Sequence, residues 1–323
     1  MLFDLNPKRR REDLFDFDEE LTKLLRLIQE RERLIVISGF KRTGKTSLVL
    51  TSLHSADIPY VYMNGEIFAT KKSISKREFA KMFEDSANDL ILNRGKWHDK
   101  LEEFLSGLSG ISIEKRNDVP LIKLDPKWST PILICCIVEK FGELAEEVEG
   151  KPFVWVFDEA QEFRKLHGYS LKGIFAHLYD HARNVVLIFI GSQKGFLYRF
   201  LGLNNPSSPL FPRPRVEIET RKLTPKESLE FLRKGFDQLG WMPDEEILKE
   251  VVEKTGGFIG WLTYVGCKAK QYGRLDKEVF KKILDEAVKQ ASRELEIILD
   301  NLAYYDWQRM RRSKFHNTLG NKQ

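Results

Sequence analysis

Two stretches of this sequence combine residue types at spacings that do chemistry. The first, Gly39-Phe40-Lys41-Arg42-Thr43-Gly44-Lys45-Thr46, fits G-x-x-x-x-G-K-[ST] and is followed by Ser47. Its glycines let the backbone curl so that consecutive N–H groups face phosphate oxygens, and a helix opening at its end adds positive potential. In such a loop Lys45 is expected on the β- and γ-phosphates of a nucleotide and the Thr46 hydroxyl on Mg²⁺. The candidate nucleotide-binding residues are therefore Gly39, Lys41, Arg42, Thr43, Gly44, Lys45, Thr46 and Ser47.

The second is Asp158-Glu159, directly after the apolar run Phe153–Phe157. Two carboxylates at the carboxyl end of a buried strand lie where open α/β sheets bind ligands. Asp158 is expected to join Thr46 in the Mg²⁺ shell and Glu159 to act as general base on the attacking water. A water-activating glutamate points to hydrolysis; a kinase would need an acceptor pocket, and nothing in the sequence specifies one. Ser192, in Gly191-Ser192-Gln193 after another apolar run, is a candidate γ-phosphate sensor. Arg213 and Arg215, in a proline-rich loop, are candidate charge donors to the γ-phosphate. His177 and His181 are four apart on a helical pattern but have no third ligand, and read as a solvated face. Tyr304, Tyr305 and Trp307 beside Arg309, Arg311 and Arg312 can stack on bases, but such a segment more often packs on the body or stays a mobile tail.

These residues need a frame. Residues 18–32 carry apolar side chains at helical spacing, and Leu34–Ile37 reads as a buried parallel strand. Ile58–Met63, Pro152–Phe157 and Val185–Ile190 read as further strands, with helical patterns at 45–54, 76–92, 130–149 and 171–182. Strands alternating with helices predict a mostly parallel sheet flanked by helices on both faces. A β-hairpin insertion is expected at about 107–124. Residues 203–214 are a loop by their Asn, Ser and Pro content. Beyond it, Thr224-Pro225-Lys226-Glu227 has an N-cap, Pro at N1 and Glu at N3, and helices follow at 225–239, 243–254, 258–272 and 276–300. Residues 1–222 are thus expected to form a P-loop ATPase domain and 223–300 a helical domain.

Composition excludes other classes. The chain has 323 residues, and at roughly 100–200 per domain that length suits two domains. The net charge of +5 is concentrated in Lys8–Arg11 and in the tail 304–323, leaving −2 on residues 12–303. No run approaches the ~20 apolar residues of a membrane span, and the amino terminus lacks an apolar signal core. Cys135, Cys136 and Cys267 form neither a disulfide framework nor a zinc spacing, so a reduced, cytoplasmic protein is expected.

Together these pieces resemble the archaeal ATPase family of STAND-class P-loop NTPases, relatives of AAA+ proteins and initiator ATPases. The resemblance rests on GFKRTGKTS, WVFDEAQEF, FIGSQKGFLYRFL, NNPSSPLFPRPRVEI, LTPKESLEFL and TGGFIGWLTYVG, in that order along the chain. It implies an ATPase domain, a helical lid over 223–300 and, in relatives, a winged helix, in whose place this chain has the basic tail 301–323. It puts Lys45 and Thr46 on phosphate and Mg²⁺, makes Asp158 and Glu159 the Walker B pair, Ser192 the sensor and Arg213 the arginine after Ser-Pro-Leu. The chain departs from the family pattern at Asp16-Phe17-Asp18-Glu19, which stands in place of the usual Gly-Arg-Glu, at Ile259 in place of proline, and at Pro212 in place of glycine. The implied function is an ATP/ADP-dependent switch with slow hydrolysis, an unknown protein partner and nucleotide-dependent oligomerisation. The alternative is a DNA-binding ATPase whose basic ends contact nucleic acid.

Overall fold

The computed structural model describes residues 1–125, 127, 131–168 and 170–320, and side chains of all of these except 131 and 300–320. In chain order the elements are α1 (Asp18–Gln29), β1 (Leu34–Ser38), α2 (Lys45–Ser55), β2 (Tyr60–Asn64), α3 (Lys76–Leu92), α4 (His98–Leu105), β3 (Ile111–Arg116) and β4 (Val119–Leu124). There follow α5 (Pro131–Glu149), β5 (Phe153–Asp158), α6 (Leu171–His181), β6 (Val185–Gly191), α7 (Lys194–Leu201) and β7 (Val216–Glu219). The chain closes with α8 (Pro225–Asp237), α9 (Glu245–Thr255), α10 (Ile259–Tyr272) and α11 (Lys277–Gly320).

Five strands form a parallel sheet in the order β2-β5-β6-β1-β7. β1, β5 and β6 are buried along their whole length, which is why they read as continuous apolar runs. Alternation sorts their side chains between two layers. Leu34, Val36, Trp155, Phe157, Leu187 and Phe189 face the core under α3, α5 and α6. Ile35, Ile37, Val154, Val156, Ile188 and Ile190 face α1 and α2. Burying these two apolar layers favours folding by about 25 cal/mol per Å² of surface removed from water. β7 was not foreseen: it is four residues long and buries only Ile218 fully, too short for an alternating pattern to stand out.

The hairpin β3–β4 is a separate antiparallel pair. Asn117 and Asp118 both take positive φ, +51° and +63°, the conformation of a two-residue turn matched to strand twist. Asn88 of α3 bonds both the carbonyl and the N–H of Ile122, and Glu84 accepts from Leu124 N–H, so the hairpin is fastened to α3.

The helices after β7 surround a third core that includes Phe231, Phe236, Leu248, Leu262 and Phe280, joined by Leu2 and Phe3 from the amino terminus. Thr224 and Glu227 bond each other's backbone N–H with Pro225 at the first turn, closing a capping box at the start of α8. The basic tail with Tyr304, Tyr305, Trp307, Arg309, Arg311 and Arg312 lies, for its side chains, outside the described residues.

Candidate functional site

β1, β5 and β6 end level with one another: Ser38 pairs with Gly191, and Phe157 with Phe189. The loop 39–44, the pair Asp158-Glu159 and Ser192 therefore leave the sheet at the same edge. Lys41, Arg42, Gly44, Asp158 and Glu159 line a cleft of about 340 Å³, which Ser192 reaches only through its bond to Glu159. The walls of the cleft come from the loop, from residues 4–8, 13–15 and 17, and from Phe231, Ile259, Gly260, Thr263, Gln290 and Glu294 of the helical unit.

The loop holds its curve through glycine. Gly44 sits at φ +88° and Gly39 at φ +151°; a Cβ on Gly39 would stand 2.3 Å from Thr220 Oγ1. Thr43 is fully buried, donates to the Phe40 carbonyl at 2.7 Å and meets the Thr220 hydroxyl at 2.7 Å. Its side chain is a strut of the loop. Lys45 Nζ donates to the carbonyls of Gly39 (3.1 Å) and Phe40 (2.7 Å). Burial pulls the Lys45 ammonium below the ordinary lysine range, and the nearby Glu159 and Asp158 carboxylates oppose that pull.

Asp158 is buried and accepts three hydrogen bonds, from Thr46 Oγ1 (2.6 Å), Tyr62 OH (2.6 Å) and Glu159 N–H (2.8 Å). Burial, reinforced by the Glu159 charge, pushes the Asp158 carboxyl above its usual range, and the three donors draw it back. Thr46 and Asp158 thus present two hard oxygen ligands side by side, the donor type that Mg²⁺ takes. Glu159 takes a left-handed backbone (φ +43°), uncommon for a side chain of its size. Its Oε2 accepts from Ser192 Oγ at 2.7 Å, from Ser192 N–H at 3.4 Å and from Gln161 Nε2. The end of β2 closes tightly on this turn, since a Cβ on Gly65 would lie 2.7 Å from the Glu159 carbonyl.

Lys41, Arg42 and Ser47 line the cleft and make further contacts. Arg42 (φ +67°) points to the helical unit: its carbonyl accepts from Gly260 N–H at 3.0 Å, and its guanidinium lies 3.8 Å from the Trp261 ring centroid and 2.5 Å from Glu294 Oε1. Lys41 pairs with Glu66 (3.3 Å) and Glu294 (3.7 Å). Ser47 Oγ accepts from Lys8 N–H at 3.1 Å. Arg213 does not line the cleft. It pairs with Asp180 on α6 (Nε to Oδ1 3.1 Å) and bonds the Pro209 carbonyl, while Arg215 pairs with Glu217 at 3.0 Å. His177 bonds Glu139 at 3.0 Å, and among the described residues no three His, Cys, Asp or Glu side chains gather to hold a metal.

Where the chain departs from the family pattern, apolar groups cover the loop. Phe17 lies 3.0 Å and Ile259 3.6 Å from where a Cβ on Gly44 would be. Asp16 adopts φ +55° and binds Arg221 at 2.9 Å. Tyr62 and Gln161 were missed. Tyr62 looked like an ordinary strand residue, and only the β2–β5 register, with Asn64 beside Asp158, could have singled it out.

A phosphate loop and a carboxylate pair at the carboxyl edge of a parallel sheet define the molecule as a P-loop ATPase. A family model described as an ATPase domain predominantly from Archaea matches residues 14–265, and the chain belongs to that family. It is similar to the Walker-type ATPase of Pyrococcus abyssi, with 29% identity, a TM-score of 0.72, and coverage of 92% of this chain and 79% of that one. More distant likenesses include the RuvB Holliday junction branch migration motor of Thermotoga maritima (12% identity, TM-score 0.46, 87% of this chain and 73% of that one). Domain III of the Thermotoga maritima replication initiation protein DnaA is another (14% identity, TM-score 0.44, 88% and 98%). No curated protein matches the chain. Among the described residues no helix is long and apolar enough to cross a membrane.

Proposed function

We propose that this ATPase is a molecular switch of the STAND type, in which α8–α11 act as a lid that reports the nucleotide state to a partner protein. The observation that carries the reading is the grip of the helical unit on Arg42, which joins the phosphate loop to Gly260, Trp261 and Glu294. A loop pinned to a neighbouring unit at three points cannot rearrange around a triphosphate without moving that unit.

In this reading Lys45 exchanges the Gly39 and Phe40 carbonyls for β- and γ-phosphate oxygens, and the loop N–H groups hold the same phosphates. Thr46 and Asp158 would hold Mg²⁺, which neutralises charge on the phosphate oxygens when bound. Glu159 accepts the proton of the attacking water, and Ser192 holds the Glu159 carboxylate in place for that transfer. Arg213 is fixed to Asp180 away from the lining of its own cleft, so as a charge donor it would serve the cleft of a second copy in an oligomer.

Trp261 provides the test. Its fluorescence should differ between the ADP-bound and ATP-analogue-bound protein, and Trp261→Phe should remove that difference. Identical emission with both nucleotides and with none would dismiss the lid as a reporter. The DNA-binding reading has weaker support. Arg10 is paired with Glu12 and Asp13, Arg11 with Asp18, and the Lys8 ammonium bonds the carbonyls of Met1 and Asp4. Arg9 and Arg10 of that cluster are exposed to solvent. Salt-sensitive DNA binding that stimulates ATP turnover would reinstate it.

A further inference from the structure

Phe3 is buried in the core of the helical unit, wedged between two glycines. A Cβ on Gly235 of α8 would stand 2.2 Å from its ring, and one on Gly266 of α10 would stand 2.3 Å from it. The slot exists because neither helix carries a side chain there. The ring also meets Phe231 and Phe236 edge-on at 5.7 and 5.0 Å, and Leu2 N–H donates to Gln238 Oε1 at 2.9 Å. Phe231 is itself part of the cleft wall.

Five residues further on, the same segment is fastened to the other unit. Lys8 N–H donates to Ser47 Oγ at 3.1 Å, and Thr51 Oγ1 donates to the Lys8 carbonyl at 3.1 Å. Ser47 and Thr51 belong to α2, the helix that starts at Lys45. Between these two anchors Asp4, Leu5, Asn6 and Pro7 are exposed and line the nucleotide cleft.

We propose that Phe3 is a positioning residue for ATP hydrolysis: seated in its glycine slot, it ties the lid to α2 through a strap, Asp4–Lys8, that forms one wall of the cleft. Five residues of extended chain reach roughly 17 Å at most. The lid can therefore swing only within that tether unless Phe3 leaves its slot or Lys8 leaves α2. The strap fixes two things together, the seat of the lid and the shape of the wall. The strap rests on the proposal that α8–α11 form a lid over the nucleotide, but not on that lid reporting to a partner protein.

A wall that meets nucleotide before and during hydrolysis alike contributes binding that ground and transition states share, which releasing it removes. Phe3→Ala should then raise the KM for ATP about fivefold or more with kcat within about twofold, while Phe3→Leu, which keeps the slot filled, stays within about twofold of the parent in both. Hydrogen exchange supplies the second readout. In the parent, a non-hydrolysable ATP analogue should slow exchange in α2, α8 and α10; in Phe3→Ala the slowing should persist in α2 and vanish in α8 and α10. A residue that merely filled the lid core would speed exchange in α8 and α10 with and without the analogue, leave KM within about fivefold of the parent, and so overturn the proposal. Should Phe3→Ala fail to fold, Thr51→Val cuts the other end of the strap without emptying the lid core. A KM raised about threefold or more supports the tether, and a smaller change rejects it.

Discussion

The Ser192 hydroxyl donates a 2.7 Å hydrogen bond to Oε2 of Glu159, joining the end of β6 to the end of β5. The bond gives the glutamate a fixed direction, because its backbone is already held in a left-handed turn at φ +43°. A charge-assisted hydrogen bond of this kind contributes about 1.5–3 kcal/mol. Ser192→Ala should therefore lower kcat about tenfold or more with KM for ATP within about twofold, as for an interaction that matters to the chemical step. Steady-state hydrolysis measured across a range of ATP concentrations decides it, and an unaltered kcat would remove Ser192 from the machinery.

Lys45 and Glu159 should separate binding from turnover. Lys45→Ala removes the ammonium that lies against the loop carbonyls, and equilibrium titration with a fluorescent ATP analogue should then show no saturable binding. Glu159→Gln keeps the shape and loses the proton acceptor, so binding should persist while turnover falls about 100-fold or more. Wild-type turnover in Glu159→Gln would assign the base elsewhere.

Arg42 should matter more to the helical unit than to the sheet. Its guanidinium stacks on Trp261 and pairs with Glu294, so Arg42→Ala loses a cation–π contact and a largely shielded ion pair together, about 1–2 kcal/mol. Faster amide exchange should then be confined to α10 and the adjoining part of α11, with β1, β5 and β6 unaffected. Uniformly faster exchange would show that the contact has no such local role.

Glu227 offers a pH test. Its hydrogen bonds from Arg221 and from the Thr224 backbone lower its carboxyl from the ordinary 4.5 to about 2 in the fold. A carboxyl depressed by folding stabilises above its unfolded pKa, and the contribution fades as pH falls from there through the folded value. The site is largely exposed, so solvent screening keeps the gain to roughly 0.5–1 kcal/mol. Glu227→Gln should lower the midpoint of thermal unfolding at pH 7, and the gap to the parent should narrow steadily between pH 4.5 and pH 2. A gap independent of pH would mean that the capping geometry, rather than the charge, stabilises α8.

Sequence alone determined whatever is local to a few consecutive residues. The loop 39–46 is legible because curling a backbone around phosphate demands glycines at fixed spacing with Lys45 and Thr46 next to them. β1, β5 and β6 are legible because burial on both faces leaves continuous apolar runs, and α8 because Thr224, Pro225 and Glu227 cap it within four residues. What required the tertiary structure was every relationship between segments distant along the chain. Tyr62 reaches Asp158 only because β2 pairs with β5, and Ser192 reaches Glu159 only because β6 does. That the guanidinium of Arg42, a residue of the phosphate loop, turns to Trp261 and Glu294 of the helical unit was visible only once that unit packed against the loop. Arg213 is held by Asp180, and β7 pairs with β1, through partners that no pattern near either element announces. Phe3 carries no signal in its own neighbourhood, because the slot it fills is made by the missing side chains of Gly235 and Gly266, more than 200 residues away. Local conformational demands are written residue by residue, whereas a contact between remote segments is settled only when the whole core packs.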